Sequence, residues 1–254
     1  MDNIMDFKDR VAIVTGAGSQ RGIGVATCRI LAYYGCNVAI ADIDEEGAKE
    51  NARLIEKEYG TKAIAVKVDL ASEESIKAMV KTVADTFQGR IDILVNNAGI
   101  SIPHTYDEIS NEEWHKVLDI NLSSMFFATR EVLPYMKERK YGRVINVSSV
   151  SGRDGGHHGG AHYVTTKGAA VSLAKHYAKQ VATENITVNC VAPGQCLTDG
   201  GGLKMEDRKP NPACPMLRRG GADEIAAGIV FLASNGASYI TGVNLDINGG
   251  LYMP

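Results

Sequence analysis

Tyr163 and Lys167 place a phenol and an ammonium four residues apart, and Ser149 lies fourteen positions upstream of the tyrosine. On a helix, positions i and i+4 share a face, so the ammonium can lie beside the ring. An unperturbed tyrosine titrates near 10. A neighbouring positive charge favours the phenolate and lowers that value. The spacing therefore predicts a phenol that exchanges protons near neutral pH, which is general acid–base chemistry. The same spacing also occurs on helices that do no chemistry, so its meaning rests on the elements that position it.

Those elements alternate from end to end. Short apolar runs at 11–14, 37–41, 62–68, 91–95, 143–147, 186–191 and 242–246 read as strands. Amphipathic stretches at 22–34, 45–59, 72–87, 112–138, 161–182 and 222–234 read as helices. Apolar strands without period-two polarity, each followed by a helix, imply a parallel sheet covered on both faces. The fold class is α/β, a doubly wound parallel seven-stranded sheet with helices on both sides. No linker, repeat or low-complexity tract interrupts it, so 1–254 reads as a single domain. Two irregular segments stand out. Residues 152–160 are rich in Gly and His, and residues 197–217 carry three glycines and three prolines and look like a substrate lid.

Composition narrows the function classes. A formal charge of -3 and an isoelectric point near 6.1 leave no electrostatic footprint for nucleic acid or an anionic membrane. No apolar run approaches the ~18 residues of a membrane span. Five cysteines, odd in number and without a CxxC pair, point to free thiols in a reducing setting. The expectation is a cytoplasmic protein. His157, His158 and His162 lie near one another in sequence, but no carboxylate or cysteine stands at ligand spacing, so no metal is expected. Their loop joins Ser149 to Tyr163 and reads as solvent-facing or as a wall of the substrate site, with the wall favoured.

A glycine-rich turn follows the first strand: Thr15-Gly16-Ala-Gly18-Ser-Gln-Arg21-Gly22-Ile23-Gly24. Glycines there let the backbone approach a pyrophosphate, and the helix N-terminus adds unpaired N–H groups. Two registers are open, one starting at Gly16 and one at Gly18. Asp42 ends the second strand, where a carboxylate can accept from a ribose 2′-hydroxyl and repel a 2′-phosphate. Arg21 argues the other way, as a cation able to pair with that phosphate. Asp42 is weighted more heavily, so NAD is expected, with NADP possible.

Thr15-Gly16…Gly22-Ile23-Gly24, Asp69-Leu70, Asn96-Asn97-Ala98-Gly99, Asn121, Ser149, Tyr163-x-x-x-Lys167 and Pro193-Gly194-x-x-x-Thr198 occur in one order. That pattern resembles the short-chain dehydrogenase/reductase family across nearly the whole chain. The resemblance implies a Rossmann-like fold and an alcohol/ketone substrate. It makes Tyr163 the acid/base and Ser149 the group that holds the substrate oxygen. Lys167 would tune Tyr163 and meet the nicotinamide ribose, and Asn121 would hold a proton-relay water. Asp69 and Leu70 would border the adenine; Asn96, Ala98 and Gly99 the adenosine ribose; Pro193, Gly194 and Thr198 the nicotinamide amide. Ile23 and Ile43 join the cofactor set, as does Cys196, where an aliphatic residue is usual. The gap between Ser149 and Tyr163 is one residue longer than the common form, and the insertion is placed in 152–160.

The leading expectation is an NAD(H)-dependent secondary alcohol/ketone oxidoreductase. The near alternative is an NADPH-dependent carbonyl or 3-ketoacyl reductase. A non-catalytic dinucleotide-binding regulator is the alternative from another class, and a homotetramer is implied. Sugars, polyols, steroids and small ketones stay open as substrates.

Overall fold

The computed structural model describes residues 4–156, 159–198 and 211–254. Seven parallel strands form the central sheet: β1 (Val11–Thr15), β2 (Asn37–Asp42), β3 (Ala63–Lys67), β4 (Ile93–Asn96), β5 (Gly142–Val147), β6 (Ile186–Pro193) and β9 (Asn244–Ile247). Their order is β3-β2-β1-β4-β5-β6-β9. The helices are α1 (Ile23–Tyr33), α2 (Glu45–Tyr59), α3 (Glu73–Thr86), α4 (Asn111–Leu118), α5 (Ser124–Glu138), α6 (Ser151–Asp154), α7 (Gly160–Val181) and α8 (Ala222–Ala233). Every predicted strand of the doubly wound fold is present, and so is every predicted helix but one, which is divided.

Strand alternation divides the interior into two cores. Ala12, Val14, Val38, Ile40, Ile93 and Val95 face one side with apolar residues of α1, α2 and α8. Val11, Ile13, Ala39, Ala41 and Leu94 face the other with α3, α5 and α7. Both faces are covered, so the strands read as unbroken apolar runs. Side-chain caps fix helix starts that matter for the site. Asp44 Oδ1 accepts from Gly47 N at 3.1 Å to open α2, and Ser110 Oγ accepts from Glu113 N at 3.1 Å to open α4.

One predicted helix is corrected. Residues 112–138 are not one regular helix, because a π-helical turn at Asp119–Ser123 separates α4 from α5. Such insertions are rare and occur often at functional sites; this one carries the fully buried Asn121.

The chain order of the strands reverses between β1 and β4, and the crevice at their carboxyl ends is where this architecture binds ligands. The lid expected at 197–217 lies largely at 199–210, outside the described residues. Its flanks are held together by a two-residue parallel ladder, β7 (Cys196–Leu197) with β8 (Gly220–Gly221).

Candidate active site

The carboxyl ends of β1, β2, β4, β5 and β6 border a cleft of about 990 Å³. One end is the glycine turn. Gly16 has φ +67°, and a Cβ there would stand 2.7 Å from the Ala98 Cα. Gly24 packs so closely that a Cβ would collide with the Gly16 carbonyl. Gly22 instead lines the cleft, with nothing nearer to a built Cβ than Ser19 Oγ at 3.6 Å. It leads into α1, which has no side-chain cap and no acidic residue in its first turn. The uncapped amides and the open glycine fit a pyrophosphate, so the residues present accommodate a dinucleotide.

Gly18 belongs to the two-residue extension of the turn. Its N–H donates to Asp42 Oδ2 at 2.7 Å, and Asp42 Oδ1 accepts from Asp44 N at 3.0 Å. The carboxylate is thereby fixed at the cleft wall with acceptor capacity to spare. From α2, the buried Asn51 sends Nδ2 to the carbonyls of Ala17, Gly18 and Ser19 at 2.9, 3.0 and 3.2 Å. Asn97 Nδ2 donates to the Thr15 and Gly16 carbonyls at 2.8 and 2.9 Å. Two amide side chains thus hold the loop from Thr15 to Ser19.

At the other end, Ser149, Tyr163 and Lys167 converge. Ser149 follows β5, and its Oγ accepts from Ser151 N at 3.1 Å at the start of α6. Ser148 is committed elsewhere, donating to the Lys167 carbonyl at 2.7 Å. Lys167 Nζ lies 5.6 Å from the centroid of the Tyr163 ring and donates to the Val147 carbonyl at 2.7 Å. Asn121 Oδ1 accepts from Ile100 N at 2.8 Å, while Nδ2 donates to Ile100 O at 2.8 Å and to Thr166 Oγ1 at 3.3 Å. Gly99 sits against the pair: a Cβ there would be 3.2 Å from Lys167 Nζ and 3.4 Å from Asn121 Oδ1.

Electrostatics here depart from expectation. Burial pushes the Tyr163 phenol up, the Ser149 hydroxyl opposes this with a hydrogen bond, and Cys196 adds a small upward push. Burial also lowers Lys167 to about 8. The spacing predicts that Lys167 brings the phenol down; instead desolvation, which penalises tyrosinate and ammonium alike, is the largest influence on each. Burial thus favours the neutral phenol. Cys196 lines the cleft with its thiol pushed up to about 12 by burial, so it is no reactive thiolate.

The chain matches, over residues 16–252, the family model described as Enoyl-(Acyl carrier protein) reductase. It is 40% identical to 3-oxoacyl-[acyl-carrier-protein] reductase FabG of Aquifex aeolicus, over 97% of this chain and 98% of that one. The Escherichia coli protein of the same name is 37% identical over 98% of this chain and all of its own length. The chain belongs to the short-chain dehydrogenase/reductase family. It is an oxidoreductase with an NAD(P)-binding Rossmann fold. The crystal structure of 3-ketoacyl-(acyl-carrier-protein) reductase from Brucella melitensis complexed with NADH superposes with a TM-score of 0.89. That pair is 33% identical, covering 98% of this chain and all of the other.

Within this short-chain dehydrogenase/reductase, most residues named from sequence line the cleft: Gly16, Gly22, Ile23, Asp42, Ile43, Asp69, Leu70, Ala98, Gly99, Ser149, Tyr163, Lys167, Pro193, Gly194, Cys196 and Thr198. Five others stand behind it or beside it. Gly18, Gly24 and Asn121 support the lining as described above. Asn96 is buried, its Nδ2 donating to Asn146 Oδ1 at 2.9 Å. Arg21 is exposed and is not among the lining residues.

His162 is a correction. It is fully buried and is no wall of the substrate site. Its Nδ1 accepts from Tyr163 N at 2.8 Å, which leaves the Nε2–H to donate to Glu113 Oε1 at 2.8 Å. Glu113, held below the usual carboxylate range chiefly by His162, also meets His104 Nδ1 at 3.0 Å. This bridge ties the loop after β4 and α4 to the first turn of α7, beside Tyr163. His157 and His158 lie outside the described residues. Among the described residues, no group of three or more His, Cys, Asp or Glu side chains converges as a metal site would, and no helix is long and apolar enough to cross a membrane.

Sequence reasoning missed Ser19, Ser101, Lys116 and Ile120 in the lining, together with Asn97 as more than a turn residue. Lys116 and Ile120 are four apart and face the cleft together. That signal was present, but apolar periodicity hides a functional stripe that contains a lysine.

Proposed function

We propose that this oxidoreductase reduces the 3-oxo group of an acyl thioester to a 3-hydroxyacyl thioester, with NADH preferred to NADPH. The observation that carries the chemistry is the convergence of Ser149, Tyr163 and Lys167 at one end of a cleft whose other end is an uncapped glycine turn. Similarity to 3-oxoacyl reductases over nearly the full length of the chain supports the thioester class. The alternative weighed from sequence is thus favoured over a general alcohol dehydrogenase.

When bound, the dinucleotide supplies the hydride. Ser149 donates a hydrogen bond to the substrate carbonyl oxygen and positions it. Tyr163, kept protonated by its burial, gives its proton to that oxygen as negative charge develops there. Lys167 holds the ribose side of the site and stabilises the phenolate left behind. Asn121 is assigned the water that returns a proton to this pair. Asp69 and Leu70 border the adenine, with Ile43 beside Asp42. Ile23 follows the pyrophosphate turn, and Pro193, Gly194, Cys196 and Thr198 flank the nicotinamide.

Asp42 supports NADH, because its carboxylate is fixed at the cleft wall by Gly18 N and Asp44 N, whereas Arg21 is not among the lining residues. Initial rates of NADH and NADPH oxidation with a 3-oxoacyl thioester, against sugar, polyol and cyclic-ketone panels, test the reading. Thioester turnover with NADH, and a shift toward NADPH in Asp42→Ala, are expected. Turnover confined to another panel would overturn the substrate class, and a wild-type preference for NADPH would overturn the cofactor assignment. We further infer a cytoplasmic homotetramer. Phe126 of α5, 39% exposed, lies against Tyr177 of α7 at one expected interface, and Met253, 75% exposed, marks the other.

A further inference from the structure

At the opposite pole of the sheet, where β1, β5 and β6 begin, a second cavity of about 370 Å³ is lined by Arg10, Tyr141, Arg143, Asn185, Asn235 and Ser238, with Ile4 as its apolar member. Among the described residues, no acidic side chain lines it. The Tyr141 ring packs against two guanidiniums, with the Arg10 carbon 3.5 Å and the Arg143 carbon 4.2 Å from its centroid. Arg143 is 1% exposed. Its Nη1 donates to the Gly142 carbonyl at 2.8 Å and to the Asn185 carbonyl at 3.1 Å, but its buried Nε has no hydrogen-bond partner.

Charge is unbalanced around this cavity. Asp92 is the carboxylate that reaches the cluster, and its Oδ2 is taken by Arg90 Nε at 2.7 Å and Val11 N at 2.9 Å. Its Oδ1 is 3.8 Å from Arg10 Nη1. Among the described residues, Arg143 has no carboxylate partner within 4.0 Å. Among the described residues, Asp92 thus serves Arg90 and Arg10 and leaves Arg143 without a carboxylate. An arginine this deeply buried is costly unless it is paired, and burial accordingly lowers Arg143 below its ordinary range.

We propose that this cavity is a second binding site, for a small oxyanion of the phosphate type held by the Arg10 and Arg143 guanidiniums beside the Tyr141 ring. Planar guanidiniums match the oxygens of such an anion in pairs. Ser238 contributes a hydroxyl at the cavity wall. Asn235 Oδ1 already accepts from Arg10 Nη2 at 3.3 Å and from Tyr141 OH at 3.4 Å, which leaves its amide nitrogen as a further donor. β5 begins here and ends beside Ser149, so its six residues, at about 3.3 Å each, keep the two cavities roughly 20 Å apart. The bound anion would link the entry to β1, the start of β5 and the turn after α8. Its effect is therefore on the stability of the fold rather than on the hydride step.

The test uses the full chain saturated with NADH, so that the dinucleotide cleft cannot take up the probe. Inorganic phosphate is titrated by calorimetry and thermal unfolding, with chloride of equal ionic strength as the control. Stoichiometric, saturable binding with a rise in Tm is expected. Binding should weaken at least tenfold in Arg10→Gln and in Ser238→Glu, which places a carboxylate at the cavity, while both keep wild-type turnover without phosphate. Arg143→Gln should abolish binding, and the two milder variants decide the matter if it fails to fold. A response equal to that of chloride, or undiminished phosphate binding in both milder variants, would overturn the proposal.

Discussion

At the scale of single residues, burial acts in opposite directions on the two groups that first drew notice. It raises Tyr163 and lowers Lys167 to about 8, so both are pushed toward neutrality. A neutral phenol suits proton donation to a carbonyl, and a charged Lys167 suits stabilisation of what remains. Reduction should therefore be fastest below pH 8 and fall as pH rises through about 8, where Lys167 loses its proton. In Lys167→Met that limb should vanish from the kcat/KM profile, at a much lower rate. For stability the sign is set by the unfolded chain, whose lysine keeps its proton up to about 10. Between about 8 and 10 the unfolded state binds more protons, so the Lys167 contribution to stability rises with pH across that window. The i, i+4 spacing of the pair was legible from sequence. The direction of the tyrosine shift was not, since desolvation is set by residues distant in the chain.

At the scale of elements, strands and helices followed from apolar runs and periodicity because both faces of the sheet are covered. The π-turn at Asp119–Ser123 left no such trace: Val117, Met125, Ala128 and Val132 keep helical spacing well enough to pass through it. Asn51 was equally hidden, since an asparagine on an amphipathic helix gives no hint that its amide reaches three loop carbonyls. The first turn of α7 depends on a comparable contact. His162→Leu would leave the half-buried Tyr163 N–H without its side-chain acceptor and remove the bond to Glu113. A loss of about 1–3 kcal/mol is expected, with a lower kcat and nearly unchanged NADH affinity. Denaturant unfolding together with steady-state kinetics checks this, and wild-type values of both would show that the bridge positions nothing.

At the scale of the whole molecule, the reversal of strand order between β1 and β4 explains why motifs more than a hundred residues apart share one cleft. Order along the chain was enough to suggest this, because parallel strands bring their carboxyl ends to one pole. The opposite pole was not legible: Arg10 and Arg143 carry no motif, and only the register of β1, β4 and β5 brings them together. Assembly is argued at the same scale. Multi-angle light scattering should give four times the 27.2 kDa chain mass. Substituting Phe126 by Glu should shift that mass downward, and a monomeric wild type would contradict the tetramer.

The central claim is that Tyr163 delivers the proton that accompanies hydride transfer. Its most direct test is Tyr163→Phe, with NADH oxidation measured on a 3-oxoacyl thioester and NADH binding followed by fluorescence. The account predicts a fall in kcat of about 10²–10⁴-fold, as for loss of a positioned acid, with the dissociation constant for NADH changed by less than about threefold. Turnover at the wild-type rate with NADH still bound would contradict it.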